Sequence, residues 1–380
     1  MILSKRVQFW ILIVLAFVIS LLWSFYQSQL IYPANAAVQS IPALARGIGL
    51  SCWLSMPPDQ DFSKEHLDSW VTEKDFKRFA DWGLTHVRLP IEPEFLQFKS
   101  ARSELIENHI AYVDRAIQWS KKYNLAIILD IHPLVPLKLQ AGTQSDDYDR
   151  LKQLWIALAK RYRTQSNAVF YELLNEPQLE SVSTWRSIAQ GLVNQIRSID
   201  TEHSIIVSGH YAGAHDYETM TPIQGDKLIY TFHFYEPISF THQSSGWIGG
   251  FAKLRDLPYP FEQQKFAAAK ARSGFDSETI RLLNAYQSER FDKQKVESKL
   301  RPVLKFRSRY NVPIYCGEFG VNRDAPMPDR ANWNRDVIEM LQRYQFEYAF
   351  WEYRGSFGLM SFDSTAIDPA MLDAIGFRRS

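Results

Sequence analysis

Two glutamates, Glu176 and Glu318, each follow a short apolar run, and that repetition is the first sign of chemistry in this sequence. Val169 to Leu174 are mostly apolar and aromatic, the composition of a buried strand, and run directly into Asn175-Glu176-Pro177. Val312-Pro313-Ile314-Tyr315-Cys316-Gly317-Glu318-Phe319-Gly320 repeats the design. An ionisable carboxylate at the mouth of an apolar strand is costly unless it is paired or used. One such Glu alone reads more readily as a buried structural ion pair. Two of them, far apart in sequence, suit carboxylates that face each other across one site. With no activated Ser or Cys beside them, the pair points to glycoside hydrolysis. One carboxyl would protonate the leaving oxygen, while the other attacks the anomeric carbon or activates a water. A metal-assisted route finds less support. There is no His-Glu-x-x-His and no tight His/Asp cluster, and His132 and His233 belong to separate strands. No metal and no cofactor are expected.

The elements that must hold these groups alternate regularly. Strands are predicted at 46–53, 85–90, 125–132, 168–176, 204–209, 228–235, 312–319 and 347–353. Helical spacing fills most gaps, including a helix opened by Thr72 and Asp75 in the manner of a capping box, and others at 104–122, 148–162, 184–199, 330–344 and 369–375. The crossover after the fifth strand is short and poorly helical. Residues 236–275 read as long and irregular, followed by helix to Arg309. The third strand, Leu-Ala-Ile-Ile-Leu-Asp-Ile-His, is nearly all apolar, as in parallel strands covered on both faces. Eight strands alternating with helices predict an α/β fold of the (β/α)8 barrel type. A doubly wound sheet is the rival, but no Gly-x-Gly-x-x-Gly turn follows any strand. In a barrel the C-terminal strand ends form the site, and there the sequence places Arg88, His132, Asn175, Glu176, His233, Tyr235, Glu318 and Trp351.

Composition is ordinary and globular: 46% hydrophobic, 22% charged, net charge +1 over 380 residues, with no electrostatic case for nucleic acid. Aromatics are numerous, at 11 Trp, 18 Tyr and 24 Phe, and a surplus beyond core needs would suit a groove that stacks on sugar rings. Cys52 and Cys316 both fall in predicted strands and read as buried small hydrophobes rather than a disulfide. Lys5 and Arg6 precede an apolar run within residues 7–26, long for a signal-peptide core and short for a comfortable span. Ala34-Asn35-Ala36 offers a cleavage site. Residues 1–36 are therefore expected to be a signal peptide or membrane anchor, 37–45 a linker, and 46–380 a catalytic barrel. The protein is expected to be exported (secreted, periplasmic or tethered to the membrane) and monomeric.

At these positions the chain resembles glycoside hydrolase family 5, the cellulase family of retaining (β/α)8 enzymes. Asn-Glu-Pro at Asn175 to Pro177 resembles the family's acid/base motif, and Gly-Glu-Phe-Gly at Gly317 to Gly320 its nucleophile motif. The strand-two arginine falls on Arg88, the strand-three histidine on His132, the strand-six His-x-Tyr on His233 and Tyr235, and the strand-eight tryptophan on Trp351. The resemblance implies an endo-β-1,4-glucanase with Glu176 as acid/base and Glu318 as nucleophile. A β-mannanase or other β-glycanase, acting on an envelope or secreted polysaccharide, is the alternative. A non-catalytic carbohydrate-binding or structural envelope protein is a further one. Under this reading Arg88 and Tyr235 hold Glu318 ionised, Asn175 binds the sugar 2-hydroxyl, His132 and His233 position sugar and acid, and Trp351 is a stacking floor.

Each residue has a plainer use. Arg88 could pair with Glu172, a strand residue assigned to structure; His132 could be a satisfied core histidine, and Trp351 packing alone. Cys316, two residues before Glu318, would share its face and lie inward beneath it. Many family members carry a second histidine after the strand-three histidine, where this chain has Pro133. The segment 236–275 carries Phe240, Trp247, Phe251, Tyr259 and Phe261. Trp247 or Tyr259 is expected to stack on a sugar beyond the cut, the alternative being a satellite apolar cluster.

Overall fold

The computed structural model describes residues 40–97, 104–139, 145–166, 168–362 and 366–377. Eight parallel strands close into a barrel in sequence order: β1 (Arg46–Gly49), β2 (His86–Ile91), β3 (Ala126–Ile131), β4 (Val169–Glu172), β5 (Ile205–Gly213), β6 (Leu228–Phe234), β7 (Ile314–Phe319) and β8 (Glu347–Phe350). The seam is β1 against β8, with Gly47 opposite Ala349. Every residue of β2, β3, β6 and β7 is buried, which is why these strands read as continuous apolar runs.

The barrel interior is layered. Ala126, Ile128, Phe170, Ile206, Ile229, Tyr315 and Ala349 pack together as an apolar floor. One step further along β3 and β4 the inward positions become Asp130 and Glu172, paired in register. With a side-chain period of two, the same alternation that fills the floor delivers charge to the C-terminal rim.

The structure shortens or redraws several expected elements. β1 stops at Gly49, because the chain turns at Cys52 with φ at 60°. β4 ends at Glu172, so Glu176 lies beyond the strand, with φ at 36°. The crossover after β5 is a single 3-10 turn, Ala214–Glu218. The capping-box start holds: the Asp75 carboxylate accepts the Thr72 backbone N–H at 2.8 Å, opening the helix Glu73–Asp81. The segment 236–275 is more ordered than expected, with helix Ile238–Thr241, a 3-10 turn Phe251–Lys253 and helix Gln263–Arg272. The single helix expected to follow is three: Ser277–Glu289, Lys293–Lys299 and Arg301–Tyr310. The first break falls where Arg290 turns left-handed, φ 47°, and Asp292 caps the next helix by accepting from the Lys295 N–H.

Cys52 and Cys316 are both free and buried. The apolar run expected to serve as signal or anchor lies outside the described residues. Among the described residues, no helix is long and apolar enough to cross a membrane.

Candidate active site

At the C-terminal rim one buried guanidinium gathers the acids. Arg88, on β2 and fully buried, donates from Nε and Nη2 to the two oxygens of Glu172, each at 2.8 Å, and from Nη1 to Glu318 Oε1 at 2.5 Å. Its Nη2 also lies 3.0 Å from Asp130 Oδ2 and donates to Asn175 Oδ1 at 3.0 Å. The ion pair with Glu172 and the site role are therefore both present. One cation cannot balance three buried carboxylates. Burial pushes the Glu172 carboxyl upward, with Arg88 pulling it back, so the deficit of positive charge falls there rather than on Glu318.

Glu318 is held as the anion. Burial works against its charge, but His233 and Arg88 outweigh that, and the Tyr235 hydroxyl donates to its Oε2 at 2.8 Å; together they hold the carboxyl down to about 2. Glu176 faces it across the cleft. His233 Nδ1 lies 2.8 Å from Glu176 Oε1 and 3.6 Å from Glu318 Oε2. Donor atoms of Glu176, His233 and Glu318 all lie within 4.8 Å of one another. That spacing belongs to the short carboxylate separation of double displacement, about 5–5.5 Å, and not to the 6.5–9.5 Å that leaves room for a water.

The position of Glu318 depends on a defect in β7. Across β6, Phe232 pairs with Cys316 but His233 pairs with Glu318, so Gly317 is an extra residue in the strand. A Cβ on Gly317 would meet Thr231 Oγ1 at 2.7 Å and His233 Nε2 at 3.2 Å, so no larger side chain fits there without displacement. The bulge also corrects the expectation for Cys316. Tyr315 faces the barrel axis, where its hydroxyl meets His86 Nε2 at 2.8 Å, so Cys316 alternates outward toward the helices. The two-residue rule would put Cys316 and Glu318 on one face, and the inserted residue breaks it.

A second chain of bonds orients Asn175. His132 Nδ1 lies 2.8 Å from Asp130 Oδ2, and its Nε2 lies 3.1 Å from Asn175 Nδ2. The tautomer that satisfies both bonds carries its proton on Nδ1, leaving Nε2 to accept from the amide. The Asn175 amide is thus fixed at both ends, by Arg88 and by His132, with one N–H left for a ligand. Trp351 stacks on the His132 ring at 5.6 Å with planes 5° apart. Its indole is largely buried, at 8% exposure, so it offers an edge of surface rather than an open platform.

The structure separates the two aromatic candidates of the long segment. Tyr259 is fully buried and donates its hydroxyl to Asp336 Oδ2 at 2.9 Å, so it packs and cannot meet a sugar. Trp247 is 60% exposed, its ring 6.3 Å from that of Phe357. Phe357 in turn lies 5.8 Å from the ring of Tyr235, which places Trp247 near the Glu318 side of the cleft. Two further groups were not singled out from sequence. Asp130 sits two residues before His132 on the same face of β3, a lone charge in an apolar run, and that was a readable signal. Glu352 follows Trp351, buried, with its carboxyl bonded to the Ser51 hydroxyl and accepting the Phe357 N–H at 3.0 Å. Nothing in the sequence distinguishes it from a surface glutamate.

Among the described residues, Glu176, His233 and Glu318 are the group of His and carboxylate side chains close enough to share an ion. Arg88 and Tyr235 already engage both oxygens of Glu318, and an added cation would meet the fixed charge of Arg88 2.5 Å from that carboxylate. The donor set suits proton transfer and nucleophilic attack at a saturated carbon better than metal binding.

Residues 55–356 match the family model described as cellulase, glycosyl hydrolase family 5. Endoglucanase C of Acetivibrio thermocellus is 31% identical over 346 residues, 88% of this chain and 98% of that protein. Cellodextrinase A of Ruminococcus flavefaciens is 28% identical over 310 residues, 79% of this chain and 83% of its own length. Among solved structures, endoglucanase Cel5A of Thermotoga maritima has a TM-score of 0.71 at 23% identity, covering 88% of this chain and 97% of that one. The cellulose synthase subunit Z of Clostridioides difficile has a TM-score of 0.71 at 21% identity, covering 87% of this chain and 99% of that one. These last two likenesses are of fold.

Proposed function

Because the chain belongs to glycosyl hydrolase family 5, the cellulase family, we propose that it cuts β-1,4-linked glucan by double displacement, with Glu318 as nucleophile and Glu176 as acid/base. It is a glycosidase of the endoglucanase type that cleaves β-glycan. The ionised Glu318 attacks the anomeric carbon while the bond to the leaving oxygen breaks and Glu176 gives that oxygen its proton. Water then enters; Glu176 takes its proton, and the new hydroxide displaces Glu318 from the sugar. The site's two halves fit these steps. Arg88 and Tyr235 stabilise the carboxylate that must leave again, and His233 bridges the acids. The free N–H of Asn175 would bind the 2-hydroxyl, a contact that strengthens in the transition state. His132 with Trp351 would floor the sugar bound on the nucleophile side, and exposed Trp247 would add a subsite further out.

The observation that carries this reading is the separation of donor atoms of Glu176 and Glu318, within 4.8 Å. Proton NMR of freshly released sugar ends would show the β-anomer first, and a 2-fluoro glycoside would label Glu318 in peptide mass spectra. Release of the α-anomer, or a label on another residue, would overturn the assignment. The substrate panel should include mannan, because the Thermotoga enzyme of this fold has been crystallised with cellobiose and with mannotriose. The basic residues and apolar run before residue 27 support export, with the barrel acting on polysaccharide outside the cytoplasm.

A further inference from the structure

A cavity of about 750 Å3 opens on the flank of the barrel, between the 3-10 turn Ala214–Glu218 and the helix Arg301–Tyr310. None of the eight rim residues described above lines it. It lies where the crossover from β5 to β6 supplies only that short turn, while every other crossover supplies at least one full helix over the strands.

Its charge is one-sided. Lys299, Arg301, Lys305 and Arg309 line it, against Glu218 and Glu236. Arg301, Lys305 and Arg309 are four residues apart and so share one face of their helix. Like charges at that spacing weaken a helix. Arg301 stands in the first turn, where the helix dipole disfavours a cation, whereas Lys299 closes the preceding helix Lys293–Lys299, where the dipole favours one. Arg309, in the last turn, is likewise placed where the dipole favours it. The side chains of Arg301 and Lys305 make no ion pair or hydrogen bond among the described residues, and Lys299 reaches Glu289 only at 3.9 Å. The acids do not neutralise this face. Glu236 Oε2 already accepts the Tyr235 backbone N–H at 3.2 Å, and Glu218 is exposed at the rim. The floor is rigid and apolar: the buried rings of Tyr217 and Phe306 meet edge to face at 4.9 Å, and the Tyr217 hydroxyl is taken by the Thr231 carbonyl at 2.6 Å.

A helix face that repeats like charge at four-residue spacing, with Arg301 and Lys305 unpaired above a concave apolar floor, is locally inconsistent unless something occupies the cavity. We propose that this cavity binds a small, multiply charged oxyanion group, phosphate or carboxylate, carried by a free metabolite or by a substituted glycan. The guanidinium of Arg301 and the ammonium of Lys305 are its main contacts, as charge-assisted donors. The proposal does not rest on the glycosidase assignment.

Isothermal titration of the protein with inorganic pyrophosphate tests it, using wild type and the double variant Arg301→Gln/Lys305→Gln. Wild type is expected to bind saturably, tighter than about 1 mM, and the double variant at least tenfold more weakly. Without ligand, the double variant should melt at the same or a higher temperature, because like-charge repulsion is relieved; a lower one would make these cations structural and overturn the proposal. No saturable binding by wild type, or equal binding by both proteins, would overturn it too. Kinetics then separate the sources. A rise in KM in the double variant on carboxymethylcellulose, with hydroxyethylcellulose unchanged, assigns the oxyanion to a glycan substituent. Unchanged KM on both, with pyrophosphate binding lost, assigns it to a free anion. Activity on hydroxyethylcellulose itself reports on the glycosidase reading separately.

Discussion

Glu176 and Glu318 are the same residue type in one site, and their surroundings give them different work. Glu318 is engaged by Arg88 and Tyr235 and held down to about 2 against the cost of burial. The Glu176 side chain is 33% exposed and meets only His233 Nδ1 among these groups, leaving its other oxygen free to deliver a proton. Glu176→Gln removes the proton but keeps the shape. Turnover of natural β-glucan should fall by about 10²–10⁴, while a dinitrophenyl glycoside, whose leaving group needs no proton, should lose much less in the step that releases the phenol. Stopped-flow measurement of that burst would check it, and equal losses on both substrates would remove Glu176 from the role of acid.

Among the elements, β7 is the one whose irregularity matters most. Gly317→Ala should drive the new methyl against Thr231 and His233, and His233 is what bridges the two carboxyls. Displacements of this size at a reacting geometry cost up to about 10²-fold. The expectation is a ten- to hundredfold loss of kcat with a melting temperature that shifts far less, read by calorimetry beside kinetics. The long segment gives a second test. Trp247→Ala should weaken activity on long oligosaccharides while sparing a short aryl glycoside; equal effects on both, or a change in stability alone, would make Trp247 packing. The eight rim residues were legible in the sequence because each combines an unusual type with a strand end, and that combination survives small errors in strand length. The bulge was not legible, since a period of two assumes a regular strand, and Cys316 was misplaced for that reason. Tyr259 was misread because composition shows that a segment is aromatic but not which rings face inward. Asp130 was readable as a lone acid two residues before His132, whereas Glu352 owes its burial to contacts with Ser51 and Phe357 that are remote from any local pattern.

For the molecule as a whole, Glu352 ties the loop after β1 to the loop after β8. Burial, with a push from Glu318 and against Arg330, raises its carboxyl to about 8. A folded value above the unfolded one means that the neutral form is favoured by folding. That contribution is complete below about 4.5 and is lost as pH rises through about 8. Glu352→Gln cannot ionise and should escape the loss. The difference in melting temperature, variant minus wild type, should therefore grow between pH 5 and pH 8, and a flat difference would show that Glu352 does not titrate in this window. The same seam bears on how the molecule comes to exist. Arg46, Gly47 and Ile48 have no strand partner on one side until Tyr348, Ala349 and Phe350 are made, and the Ile41 N–H and Ser40 hydroxyl are held by Glu347 at 2.7 and 3.0 Å. A chain that stopped before β8 would have two raw sheet edges, β1 and β7, with the strand of Glu318 uncovered on one side. Such edges are templates for pairing with other chains, so the fragment is expected to aggregate rather than to act as a weaker enzyme. The last strand made is thus the one that closes the barrel, and β8 removes both edges at once.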